Sequence, residues 1–417
     1  MTTQNRWLIA AAGVLMQIAF GAVYAWSVFR IPLSHAHGWT IAEVTAAFEI
    51  AIFIVGFAAF AGGLWMKRSG PRPVALAGAI LYGLGTMLTG TAHSLSTLYL
   101  AYGVIGGAGL GLGYIVPIAT LVRWFPDKRG MITGLAVAGF GAGALVTAPV
   151  ANSLIASVGV GRTFEVLGLA YLVVVLACAL AMQNPPEGYV PAGYSAAGSQ
   201  RGRSARDFTL RQALGTWQWY ALWLTLFLNT TAGIAIISQA SPMAQEISGV
   251  SAATAAGMVG LISIANGSGR FLWAWFSDAV GRRTVFLIMF LLQSAAFLLL
   301  SQVHRFSLLS LLAFVILLCY GGGFGAMPAF ATDYFGAGQI GSIYGMMLTA
   351  WGFAAVFGPS LVAEIRQATG HYQGAMSWLA LATLISTVVP LLLRPPRERQ
   401  SRDLRVEGVG TPYRVRS

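Results

Sequence analysis

The chain has 417 residues, of which 57% are apolar and 9% charged, with a net charge of +12. A soluble protein of that length needs far more charge on its surface, so most of this surface must face lipid. The basic excess does not mark a nucleic-acid binder, because Lys and Arg fall in short loops between apolar runs and in the C-terminal tail, as in membrane proteins.

In chain order, apolar runs bounded by charges, Pro and Gly predict twelve helical spans, at roughly 7–29, 42–66, 73–93, 96–122, 131–156, 164–183, 217–240, 250–276, 284–303, 307–332, 341–365 and 373–393. Each is long enough to cross a ~30 Å hydrocarbon core. The first run lacks a small-residue cleavage site and is too long for the apolar part of a signal peptide, so it is expected to remain as a span. A polar stretch at 184–216 separates the sixth and seventh spans. It holds Pro185, Pro186 and Pro191 with the basic cluster Arg201, Arg203, Arg206 and Arg211. The expected organisation is therefore an N-terminal six-helix bundle (1–183), a linker (184–216), a C-terminal six-helix bundle (217–393) and a basic tail (394–417).

Basic residues also predict orientation. Lys67, Arg68, Arg72, Arg123, Lys128, Arg129, Arg282 and Arg283 share the linker's side, against Arg30, Arg162, Arg305 and Arg366 opposite. That asymmetry predicts a multi-pass protein of a bacterial inner membrane with both termini and the linker cytoplasmic. All five histidines fall in outer loops and read as ordinary polar loop residues. Cys178 and Cys319 lie inside spans with no metal-ligand spacing, so no metal site, disulfide or cofactor is expected.

The halves repeat each other. Span four reads GGAGLGLGYIVPIATLVRWFP and span ten YGGGFGAMPAFATDYFG, each Gly-rich, then with a Pro (Pro117, Pro328), then an aromatic pair (Trp124–Phe125, Tyr334–Phe335). In the following spans Phe140 and Trp351 take matching places. Two parallel six-span repeats place a cavity between bundles near mid-membrane. The Gly-rich run 106–113 lacks the strand and the Lys-Ser/Thr of a phosphate loop, and reads as a close helix crossing.

These features resemble the major facilitator superfamily over the whole chain. GPR at 70–72 resembles the end of that superfamily's loop signature, and Asp278-Ala-Val-Gly-Arg-Arg283 is its fuller second-half copy. The resemblance implies gating through Asp278, Arg282, Arg283 and Arg72. The first-half copy departs from the pattern, since Lys67 stands where the acid belongs. More narrowly, VYAWSVF (23–29), RWFPDKRG (123–130), SIANGSGR (263–270) and SDAVGRR (277–283) resemble the oxalate/formate antiporter family, which implies small carboxylates as substrates.

Arg270 is the sharpest candidate. It lies eight residues before Asp278, hence ~12 Å from the helix end. An arginine at that depth costs roughly 2.5–3.5 kcal/mol and keeps its proton, so it should face the interior, where its planar fork suits a carboxylate. A structural ion pair is the alternative. Asn266, four residues earlier, shares its helix face. The resemblance puts Tyr24 and Tyr114 in the same cavity, with Phe140, Tyr320, Phe324 and Trp351 as further lining residues.

The family's oxalate carrier has a second in-span cation, a lysine on span eleven; here Trp351 takes that place, and the second half contains no lysine. A dianion held by one arginine would leave a carboxylate unpaired in a low-dielectric cavity. The expected substrate is thus a monocarboxylate such as pyruvate, lactate or formate, moved by proton symport or anion exchange, with an oxalate/formate-type antiporter as the alternative.

Glu49, about two turns into span two, is read as an ion-pair partner of Arg30, with proton coupling as the other reading. Gln17 in span one is read as an interhelical hydrogen-bonder. No nucleophile–base arrangement or soluble domain suggests an enzyme. A carboxylate sensor that does not transport is a further alternative. The expected partners are a small carboxylate, the bilayer, and protons or a counter-anion, for a chain acting as a monomer.

Overall fold

The computed structural model describes residues 5–191 and 207–396. Arg201, Arg203 and Arg206 of the linker, and the tail from 397 onward, lie outside the described residues.

With no water inside a bilayer to satisfy the backbone, helix is the local solution for long apolar runs. Twelve long helical segments result. In the first half they are α1 (Arg6–His37), α2 (Ile41–Ser69), α3 (Pro71–Thr89), α4 (Leu95–Trp124), α5 (Arg129–Val158) and α6 (Val160–Ala181). The second half holds α7 (Trp217–Ser248), α8 (Ala252–Val280), α9 (Arg282–Leu300), α10 (Phe306–Phe335), α11 (340–369, broken at Leu348) and α12 (Tyr372–Leu392). Among the described residues, ten of these pass as spans on length and apolarity alone. The other two are α3 and α8, whose Gly and Thr residues and whose SIANGSGR run dilute the apolar signal.

The ends carry readable stop and start chemistry. Thr40 and Glu43 form a capping box at the start of α2, with Thr40 N donating to Glu43 Oε2 at 2.8 Å. Glycines with positive φ turn the chain between helices, and six of the eight among the described residues come in pairs. Gly38 and Gly249, Gly70 and Gly281, and Gly159 and Gly370 are each 211 residues apart. Pro117 and Pro328, and Phe140 and Trp351, keep the same 211-residue spacing. The repeat seen in sequence is thus a repeat of hairpin geometry.

Two helices depart from the expected spans. The first runs on to His37 instead of ending near residue 29, and it contains a 3₁₀ turn over Ala22–Ala25. The cause is close packing: a Cβ on Gly21 would collide with the Phe140 carbonyl, so α1 presses its backbone onto α5 just before the turn. The fourth begins with π-helical turns over Tyr99–Gly106. Its glycines serve the crossing expected of them. A Cβ on Gly107 would lie 2.9 Å from Ala51 of α2, and one on Gly113 would run into the Phe20 ring of α1.

The halves meet along two seams, α5 on α8 and α2 on α11. Both are lined with glycine. A Cβ on Gly141 of α5 would sit 2.7 Å from Gly267 of α8, and one on Gly56 of α2 would sit 2.8 Å from the Leu348 carbonyl of α11. Away from the seams, large apolar side chains such as Leu180, Trp378 and Leu392 point outward and are exposed, as a lipid-facing belt requires.

Candidate functional site

Arg270 is fully buried where α8 meets helices of the first half. Its Nε donates to Asn266 Oδ1 at 3.2 Å, and its Nη2 donates to Tyr24 Oη at 3.3 Å. The i, i+4 spacing on α8 supplies the first contact. The 3₁₀ turn of α1 carries Tyr24 and so supplies the second. Arg270 Nη1 is buried without a hydrogen-bond partner.

Aromatic rings close around the guanidinium. Its carbon lies 5.8, 5.3 and 5.0 Å from the ring centres of Tyr24, Phe140 and Phe324, which is cation–π range. Trp351 of α11 packs against Tyr24, Tyr114, Phe140 and Phe324, at 6.4, 6.0, 6.0 and 5.1 Å. Tyr320 packs edge-on against Phe324. The eight residues read from the sequence as cavity-lining therefore converge, drawn from α1, α4, α5, α8, α10 and α11. No Asp or Glu is among them, so the cage is a cation held by rings, a hydroxyl and an amide.

On the linker side, charge closes the space between the halves. Asp278, at the end of α8, accepts from the first amides of α5, Gly130 N at 3.0 Å and Met131 N at 2.8 Å. A carboxylate at a helix N-terminus is favoured by the exposed amides and the dipole. Arg282 holds Asp278 at 2.6 Å and Asp333 of α10 at 3.1 Å, and Arg129 of α5 reaches Asp333 at 3.1 Å. Arg282 also donates to the Ser277 hydroxyl. The chain of contacts links both halves and returns to its start.

The second seam is closed differently. Lys67, the 211-residue counterpart of Asp278, lies beside the start of α11 with Arg123, Asn184 and Gln339. Arg123 of α4 donates to the Ala337 and Gly338 carbonyls at 3.0 and 2.5 Å. The linker grips the same loop: Gly338 N donates to Asp207 Oδ1 at 3.0 Å, and Phe208 N donates to the Phe335 carbonyl at 2.8 Å.

Three expectations need correction. Glu49 is exposed, and among the described residues no ion pair joins it to Arg30. Helix phase is the reason: Glu49 falls on the stripe of exposed Phe53 and Phe57, whereas Val44, Ala47, Ala51 and Val55 face inward. Arg283 donates to the Pro390 and Leu391 carbonyls, where it caps the end of α12 within its own half, and among the described residues no ion pair joins it to the first half. Arg72 is exposed on the first turn of α3, with no ion pair among the described residues. Gln17 does bridge helices, donating to the Tyr114 carbonyl at 3.3 Å.

Sequence reasoning missed Tyr344, Asp333, Arg129 and Asp207. Tyr344 is buried beside Tyr114 and Arg270, and a tyrosine in an apolar helix gives no sign of such a place. Asp333 and Arg129 did carry a signal, being charges at the linker-side ends of apolar spans. Asp207 had none, because the fold alone brings the linker to Gly338.

A sequence model of the Major Facilitator Superfamily matches residues 8–276 and 222–414. The chain belongs to that superfamily. This facilitator is 28% identical to the oxalate:formate antiporter of Oxalobacter formigenes, over 94% of each chain. It is 27% identical to the apicoplast pyruvate carrier 1 of Toxoplasma gondii, over 82% of this chain and 73% of that one. Among solved structures, the fucose:proton symporter of Escherichia coli superposes on the facilitator with a TM-score of 0.71 at 16% identity, over 92% of this chain and 97% of the symporter. That last match shows the shared fold.

Proposed function

We propose that this facilitator is a secondary active transporter that carries a small monocarboxylate across a bacterial inner membrane by alternating access. Residues 1–183 and 217–393 are the two moving bundles, 184–216 the linker and 394–417 the tail. The linker side, with both termini, is cytoplasmic. The single observation that carries the reading is the buried guanidinium of Arg270, ringed by aromatics, with one free edge and no acidic partner in the cage.

A guanidinium binds a carboxylate through parallel hydrogen bonds. One cation neutralises one negative charge, and Trp351 supplies no second one. Closure of the cage around a monoanion leaves no buried charge unpaired, which is the condition for crossing a low-dielectric midplane. Opening then alternates between the linker-side seams and the opposite face. Coupling is by anion exchange or by proton symport. Similarity to the oxalate:formate antiporter favours one second reading, exchange of a dicarboxylate.

Counterflow of a carboxylate panel in proteoliposomes tests both readings, on wild type and Arg270→Gln. Saturable monocarboxylate uptake, weak for oxalate and reduced at least a hundredfold by the substitution, is the expected result. Strong oxalate exchange would favour the second reading. Uptake indifferent to the substitution would make Arg270 a structural charge.

A further inference from the structure

Arg270 Nη1, Tyr114 Oη and Tyr344 Oη are all buried and all without a hydrogen-bond partner. They are neighbours: the Tyr114 hydroxyl lies within side-chain hydrogen-bonding reach of both Arg270 and Tyr344, although none of the three atoms closes a bond of full geometry. Buried polar groups are ordinarily satisfied, and three orphans in one place mark a site that a ligand completes. Tyr344 reaches it because Gly345 lets α11 press on α2, where a Cβ would lie 2.6 Å from the Ala59 carbonyl.

The number and kind of these groups describe the ligand. Arg270 Nη1 needs an acceptor, which the carboxylate provides. Two phenol hydroxyls then remain beside it, to be met by the carboxylate's second oxygen or by a further acceptor next to it. An oxygen on the adjacent carbon would accept from the pair. Formate, acetate and propionate lack that oxygen, whereas 2-oxo and 2-hydroxy acids carry it.

We propose that Tyr344, together with Tyr114, reads an oxygen on the carbon next to the substrate carboxylate, so that the carrier prefers 2-oxo and 2-hydroxy monocarboxylates to unsubstituted acids of the same length. The proposal rests on the monocarboxylate reading above. It makes Tyr344 a specificity-determining residue, since a site built to hydrogen-bond a group penalises the analogue lacking it.

Pyruvate, lactate and propionate, which share a three-carbon length, separate the possibilities in competition counterflow with wild type, Tyr344→Phe and Tyr114→Phe. Wild type should favour pyruvate and lactate over propionate by at least roughly tenfold, about one hydrogen bond's worth. Tyr344→Phe should raise the half-saturating pyruvate concentration by a similar factor and leave that of propionate within about twofold. A phenol that only packs would lower all three together, and that result in both variants would overturn the proposal. Equal handling of pyruvate and propionate by wild type would overturn it as well, with the monocarboxylate reading intact. Transport of none of the three by wild type would remove both.

Discussion

Trp351 packs against four of the cage rings, and the sequence resemblance to the oxalate/formate antiporter family implies a second cation at its place in the oxalate carrier. Replacement by lysine therefore tests whether charge count sets selectivity. Trp351→Lys should admit a dianion: oxalate counterflow rises, and monocarboxylate uptake falls by about tenfold as a second buried cation goes unpaired. Unchanged oxalate uptake would mean that selectivity lies elsewhere in the cage. A milder probe is Arg270→Lys, which keeps the charge and loses the planar fork. Half-saturating concentrations should rise roughly 10- to 100-fold while the protein still folds, as judged by its melting temperature.

Among helices, the informative contrast is between the two seams. Alpha5 and α8 are tied by Asp278, whose carboxylate caps α5. At the counterpart position Lys67 meets the start of α11, where positive charge is disfavoured. The missing acid is supplied from outside the bundle, because Asp207 of the linker and Arg123 of α4 hold the two sides of the Ala337–Gly338 peptide. Asp278→Asn should weaken closure by about 1–2 kcal/mol, shifting the population toward an open linker side about tenfold. Lys67→Asp should shift it the other way. Both native cysteines are buried, so labelling of a single introduced cysteine at Gln339 reports the opening. Gly141→Leu should act more bluntly. Its side chain must enter the 2.7 Å gap to Gly267, so the seam stays open and transport stops while the helix content is retained.

At the scale of the whole molecule, what the sequence made legible was what depends on one helix at a time. Apolar runs read with their bounding charges, Pro and Gly gave twelve spans, and the depth of Arg270 within its span gave the centre of the site. The shared Gly-rich, Pro and aromatic-pair pattern of spans four and ten gave the repeat. What stayed hidden depends on how helices face one another. The break in α1 arises from Gly21 lying against Phe140, a contact between spans one and five that no local signal announces. Glu49 was misread for the same reason: its depth was right, but the phase of α2 turns it outward. Tyr344 needed its neighbours to be known before its unpaired hydroxyl meant anything. Alpha8 shows the two kinds of information in opposition, since the polar run that weakens it as a span is the run that builds the site.

On the proposed monocarboxylate reading, the buried charge of Arg270 also has an electrical consequence. Occupied by a monoanion, the cage carries no net charge, and the membrane voltage does almost no work on the loaded carrier as it reorients. The unloaded carrier moves with one positive charge, on which a full crossing of the field would be worth about 2.3 kcal/mol per 100 mV. Exchange of one monoanion for another should accordingly proceed at the same rate across a range of imposed potentials, whereas net flux, which requires the return of an unloaded site, should change with voltage.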